Sequence, residues 1–156
     1  MTRILFVCLG NQCRSPMAEY ILKEMLHRKG LGEHYYVESA GTLSGIIGRP
    51  VYIPAKAELQ KHGISCNDHY ARQLAYKDYT HFDYIVCMDK ENIISAERIV
   101  GGDTNSKICL LYEFPRKEGH EILDPMITDD YDTAYQEIEI GCEKLLSYLE
   151  EEGARI

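Results

Sequence analysis

Short apolar runs alternate along the whole chain with stretches whose apolar residues recur every three to four positions. Ile4, Leu5, Phe6 and Val7 form a continuous apolar run, the pattern of a strand buried on both faces. From Met17 the spacing changes. Ala18, Ile21, Leu22, Met25 and Leu26 recur at helical intervals, so a helix is predicted there. Ser15-Pro16 opens it, with Pro where a missing N–H costs nothing, and Gly30 and Gly32 close it. Tyr36 to Ala40 reads as a second strand, followed by a Gly-rich loop from Gly41 to Gly48. Pro54 to His62 reads as a shorter helix ended by Gly63. Tyr84 to Met88 is the third strand, and Asp89 stands where an N-cap would, before a helix that stops at Gly101-Gly102. Ile108 to Leu111 is the fourth strand. A long loop, Tyr112 to Tyr131, leads to a last helix striped by Tyr135, Ile138, Cys142, Leu145, Leu146 and Leu149.

Such alternation predicts an α/β fold, a parallel sheet with helices on both faces, in a single domain spanning 1–156. Ligands of such sheets bind beyond the carboxyl ends of the strands, at the point where the strand order reverses. The loop leaving the first strand is therefore the place to look for chemistry.

Charge narrows the classes of partner. The 17 basic and 25 acidic residues leave a net charge of −8, and there is no basic run. That balance excludes counterion-release binding to nucleic acid and attraction to an anionic membrane. An anionic substrate must then be drawn by a local site. Six cysteines, at 8, 13, 66, 87, 109 and 142, invite a disulfide or zinc reading. Cys87, Cys109 and Cys142 sit in apolar stretches as small buried hydrophobes do, and Cys66 is read as structural with them. No second knuckle complements Cys8 and Cys13, so no metal is expected. With no signal segment in the sequence, the expected compartment is the cytoplasm.

The first loop reads Cys8-Leu9-Gly10-Asn11-Gln12-Cys13-Arg14-Ser15-Pro16. The start of the following helix offers unpaired N–H groups and a positive partial charge. Gly10 is expected to let the backbone turn, and Asn11 to accept left-handed φ. The N–H groups of Leu9, Gly10, Asn11, Gln12, Cys13 and Arg14 can then surround a phosphate, while the Arg14 fork grips two of its oxygens. Cys8 lies at the base of this cradle, where the same positive charge favours its thiolate. A thiolate below a bound phosphate is placed for in-line attack on phosphorus, with no metal or other cofactor required. The spacing of Cys8 and Cys13 also permits a disulfide under oxidation.

A leaving oxygen needs a proton, and the water that later attacks needs a base. Asp124-Pro125 is the candidate carboxylate, on a stretch that Pro stiffens and extends, although taken alone the pair reads as the start of a turn. Asp129 and Asp130 are weaker candidates, better placed to favour the positive end of the last helix.

The segment Cys8 to Pro16 resembles the signature of the low-molecular-weight protein tyrosine phosphatases. The similarity continues through Ser39-Ala40-Gly41-Thr42, His62-Gly63-Ile64, His69, Ala71-Arg72-Gln73, Phe82-Asp83-Tyr84, Met88-Asp89 and Asp124-Pro125. It implies a four-stranded, doubly wound, flavodoxin-like sheet and a two-step reaction through phosphocysteine. The substrate would be a phosphorylated protein or small aryl phosphate, and inorganic phosphate would be released by a monomer or weak dimer. The resemblance also implies that Asn11, Ser15 and His69 form a hydrogen-bond network shaping the loop, with Asp89 holding Arg14. Three positions depart from the family pattern. Met126-Ile127 follows Asp-Pro where an aromatic pair is common, Gly45 with Ile46 stands where an aromatic wall is common, and Gln12 is polar. Tyr52 or Tyr131 could supply the missing ring. A protein-arginine phosphatase on the same scaffold also carries a polar residue at the Gln12 position and is the leading alternative. A non-catalytic phosphate-binding module is the second. Arsenate reduction would need a further cysteine pair seven residues apart, and Thr80 and Ile94 stand where a partner for Cys87 would be.

Overall fold

The computed structural model describes residues 1–114 and 119–154. The strands are β1 (Thr2–Cys8), β2 (Tyr35–Gly41), β3 (Tyr84–Cys87) and β4 (Ile108–Leu110). They form one sheet in the order β2-β1-β3-β4, with every pairing parallel. The helices are α1 (Arg14–Arg28), α2 (Ile53–Lys61), α3 (Asp78–His81), α4 (Lys90–Val100), α5 (Pro125–Thr128) and α6 (Tyr131–Ala154).

The period-two alternation along β1 builds two cores. Ile4, Phe6 and Cys8 pack with Met17, Ile21 and Leu22 of α1 and Ile138, Cys142 and Leu145 of α6. Leu5 and Val7 pack on the other face with Ile85, Phe82, Ala96 and Val100. All four apolar residues of the first run are fully buried, which accounts for their unbroken hydrophobicity. Close packing of α6 depends on Gly141, where an added Cβ would come within 2.6 Å of the Leu111 side chain.

The four strands and the longer helices lie where the pattern placed them, to within three residues. Short helical segments also occur that the pattern did not foresee. Within the long loop before α6, Leu111–Glu113 forms a 3-10 turn and Pro125–Thr128 forms α5. The third element, α3, carries no apolar period because four residues complete only one turn. Residues 115–118 of that loop lie outside the described residues. Cys109 is only half-buried, unlike Cys66, Cys87 and Cys142.

The order of the strands sets the site. From β1 the chain moves outward to β2, then crosses back so that β3 lies on the other side of β1. The carboxyl ends of β1 and β3 thus flank the reversal point, with the Cys8–Cys13 loop beyond it.

Candidate active site

Between β1 and α1 the backbone makes its tight turn at Asn11, whose φ is 54°. Gly10 is not in the left-handed region, and an added Cβ would meet only the Gln12 Oε1, at 4.0 Å, so neither conformation nor space within the chain demands glycine there. Asn11 is fully buried and ties the loop to three elements. Its Nδ2 donates to Ser15 Oγ and to Ser39 Oγ, each at 2.9 Å, and its Oδ1 accepts the Arg72 N–H at 3.0 Å. The two amide protons are thereby spent, which fixes the direction of the bonds that follow. Ser39 Oγ passes its proton to Glu19 Oε1 at 2.6 Å. Ser15 Oγ lies 3.0 Å from Cys8 Sγ and 3.4 Å from the Ala40 carbonyl, so its proton can turn to the sulfur when Cys8 is a thiolate. His69, also buried, closes the loop from below, with Nε2 3.2 Å from the Asn11 carbonyl and Nδ1 3.6 Å from Glu19 Oε1.

Among the described residues, none accepts a hydrogen bond from the backbone N–H of Leu9, Gly10, Gln12, Cys13 or Arg14. The first intrahelical bond runs from Met17 N to Cys13 O. These free donors at a helix start form an anion cradle.

Arg14 is buried and clamped on one side. Its Nη1 donates to Asp89 Oδ2 at 2.7 Å and to the Ile122 carbonyl at 2.8 Å. Asp89 performs both roles considered for it: its other oxygen accepts the Asn92 N–H at 2.8 Å in a capping box that starts α4. Ile122 is itself held to the end of β3 by its N–H on the Met88 carbonyl. The free edge of the guanidinium, Nη2, faces Asp124 Oδ2 at 3.8 Å. Burial works against the charge on Arg14, but the neighbouring Cys8, Asp89 and Asp124 outweigh it and raise its pKa.

Asp124 has the extended backbone that Pro125 imposes, with φ −71° and ψ 113°. It caps α5 by accepting the Met126 N–H on Oδ1 at 3.0 Å, leaving Oδ2 toward Arg14. The runners-up are used elsewhere. Asp130 caps α6 through the Thr133 N–H and hydroxyl, bonds that lower its pKa, and Asp129 closes α5 in the left-handed region.

Cys13 is buried beside this charge. Burial first, and then Cys8 and Asp124, push its thiol up to about 12. It therefore stays protonated at neutral pH.

A cleft of about 200 Å³ opens over the loop. Cys8, Leu9, Gly10, Gln12, Cys13, Arg14 and Asp124 form its floor and one side; Leu43, Ile46, Arg49 and Met126 complete the walls. Of the four wall positions expected from sequence, Ile46 and Met126 belong to the lining, and Gly45 and Ile127 do not. Gly45 stands at φ 79° with nothing within 4 Å of its would-be Cβ, and Ile127 is 84 % exposed. Tyr52 and Tyr131 are absent from the lining, and Tyr131 is buried in the core. Leu43, Arg49, Glu19 and Ser39 were missed as site residues. Ser39 lies in a segment that marked the resemblance, but the others carry no local motif.

Comparison with known proteins finds matches over nearly the whole chain. The model of the family "Low molecular weight phosphotyrosine protein phosphatase" matches residues 3–155. The low molecular weight protein-tyrosine-phosphatase YfkJ of Bacillus subtilis is 38% identical over 153 residues, 97% of this chain and 98% of that relative. Its crystal structure aligns with a TM-score of 0.93, covering 97% of this chain and 96% of the other. The human low molecular weight phosphotyrosine protein phosphatase is 35% identical over 147 residues, 92% of each chain. The crystal structure of DARP, a Drosophila arginine phosphatase, is 36% identical with a TM-score of 0.85, covering 96% and 98%. Matched by the family model over residues 3–155 and by relatives over more than nine-tenths of its length, the chain belongs to the low molecular weight phosphotyrosine protein phosphatase family.

Proposed function

We propose that this phosphatase hydrolyses phosphotyrosine in proteins by transferring the phosphoryl group to Cys8. The observation that carries the reading is the chain of hydrogen-bond contacts from Asn11 through Ser15 to Cys8 Sγ, beneath a ring of free N–H groups. Leu9, Gly10, Gln12, Cys13 and Arg14 offer these donors to the phosphate oxygens, and Arg14 adds its free edge. Cys8 attacks phosphorus, and Asp124 gives its proton to the departing phenolic oxygen. In the second step Asp124 takes a proton from water, which attacks phosphorus and releases inorganic phosphate and the Cys8 thiolate. A pure phosphate binder would need neither the nucleophile nor the carboxylate. We place the protein in the cytoplasm, where reducing conditions keep the sulfur of the nucleophile reduced. Among the described residues no helix is long and apolar enough to cross a membrane. Activity as a monomer or weak dimer suits a site built from a single chain.

The cleft walls of Leu43, Ile46 and Met126 are apolar but not aromatic, so they hold a phenyl ring by area burial and sulfur contact. Gln12 favours the second reading, arginine phosphatase, because its polar amide lines the cleft and donates to the Pro50 carbonyl at 3.3 Å. Turnover of phosphotyrosine, phosphoarginine and phosphoserine peptides distinguishes the readings. Phosphotyrosine is expected to be the best, and Met126→Tyr to raise its kcat/KM by about threefold to tenfold through ring–ring contact. A tenfold preference for phosphoarginine would assign the second function. Restoring the other wall through Gly45→Trp is unsuitable, because any side chain at that φ is strained.

We also propose that peroxide converts Cys8 to its sulfenic acid and that Cys13 then condenses with it, forming a disulfide and water. Loss of the Cys8 charge removes one of the influences that hold Cys13 protonated. After brief peroxide treatment and then thiol, the parent is expected to recover most activity and Cys13→Ser to recover markedly less. Equal recovery would exclude protection by Cys13.

A further inference from the structure

Of the charged side chains lining the cleft, two are already committed. Arg14 is held by Asp89 and Ile122, and Asp124 faces Arg14. The third is Arg49, which is exposed and whose side chain has no partner among the described residues. Its main chain, by contrast, is anchored on both sides: the Arg49 N–H donates to the Ile46 carbonyl at 3.1 Å, and its carbonyl accepts the Ala71 N–H at 2.8 Å. A fixed backbone thus presents a free guanidinium at the cleft mouth. The position is unusual for this molecule, whose net charge is −8 and whose other described arginines near the loop, Arg14 and Arg72, are both ion-paired.

We infer that Arg49 reads an acidic residue next to the phosphotyrosine in the protein substrate. The inference rests on the phosphotyrosine reading above and refines it. Once a phosphate occupies the loop, its charge is met by the N–H groups and Arg14, at the floor. The apolar walls of Leu43, Ile46 and Met126 take the ring. What remains at the mouth is a single positive charge, and the residues one or two positions from the phosphotyrosine must pass it. An aspartate or glutamate there gains a charge-assisted pair with a planar fork, and a lysine or arginine is repelled. The net charge of −8 disfavours acidic peptides at long range, so the preference is local and short-ranged.

The test compares kcat/KM for three phosphotyrosine peptides differing only in flanking Glu, Gln or Lys, together with nitrophenyl phosphate. For the parent, Glu flanks are expected to exceed Gln flanks about threefold to fivefold, the scale of one exposed ion pair. That ratio is expected to fall toward one in Arg49→Gln, to invert in Arg49→Glu, and to shrink in the parent as salt is raised. Equal turnover of the three peptides by the parent would overturn the inference while leaving the phosphotyrosine reading intact. A fall in nitrophenyl phosphate turnover matching that of the peptides in Arg49→Gln would place Arg49 on the phosphate and overturn it too. Parental turnover of phosphoarginine but of none of the three peptides would instead fail the underlying reading, and the inference with it.

Discussion

Cys8→Ser is expected to lower kcat by a factor on the order of 10⁵–10⁶ while leaving inorganic phosphate binding within a few-fold of the parent. The two readouts separate because the groups that bind and the group that reacts are held independently. Arg14 is fixed by Asp89 and the Ile122 carbonyl, and the loop backbone by Asn11, so neither depends on the sulfur. Serine is also small enough for this buried position and keeps an atom near Ser15 Oγ. A serine hydroxyl, however, lacks the low pKa that lets a thiol attack as an anion. Parent enzyme mixed rapidly with nitrophenyl phosphate is expected to trap label on Cys8 after acid quench. Turnover by Cys8→Ser within tenfold of the parent would rule the nucleophile assignment out. Loss of phosphate binding along with turnover would show that the sulfur shapes the cradle as well.

The fold was legible because both of its signals are local. A doubly buried strand must be continuously apolar, and a helix against a sheet must repeat its apolar side. Ile4–Val7 and the Tyr135–Leu149 stripe meet those conditions fully. The floor of the site was legible for the same reason: Cys8, Asn11, Arg14 and Ser15 lie within eight consecutive residues of one loop. What supports them was harder to see. Glu19 lies one turn into α1, where a charged residue ordinarily faces water; here it is buried with Ser39 and His69, residues 20 and 50 positions away. Arg72 matters to the loop through its main-chain N–H, which no residue type advertises. The walls were the least legible part. Family spacing pointed to Gly45, Ile46, Met126 and Ile127, but left-handed φ at Gly45 and the short turn of α5 leave only Ile46 and Met126 of these as lining residues. Arg49 emerges only once the loop after β2 is folded against the Ala71 main chain.

The same distinction between backbone and carboxylate roles makes Asp124→Asn informative. Asparagine retains an oxygen to accept the Met126 N–H, so α5 and the loop are expected to keep their shape and the melting temperature to hold. What is lost is the proton and the negative charge beside Arg14. For phosphotyrosine peptides and alkyl phosphates, whose leaving oxygens are strongly basic, kcat is expected to fall by about 10²–10⁴. For nitrophenyl phosphate the first step needs little protonation, and the fall is expected to be smaller. The second step still needs a base for water, so the variant is expected to accumulate phosphocysteine and to release nitrophenol in a burst followed by slow turnover. Asp130→Asn serves as the comparison, because that carboxylate is bonded to Thr133 at the start of α6 and not to the cleft. It is expected to cost some helix stability and little activity. If Asp124→Asn turned over alkyl phosphates at the parental rate, or showed no burst where the parent's second step is fast, the proton would have to come from elsewhere. If Asp130→Asn instead gave the leaving-group dependence, the acid would lie at the start of α6, and the pairing of Asp124 with Arg14 would be structural.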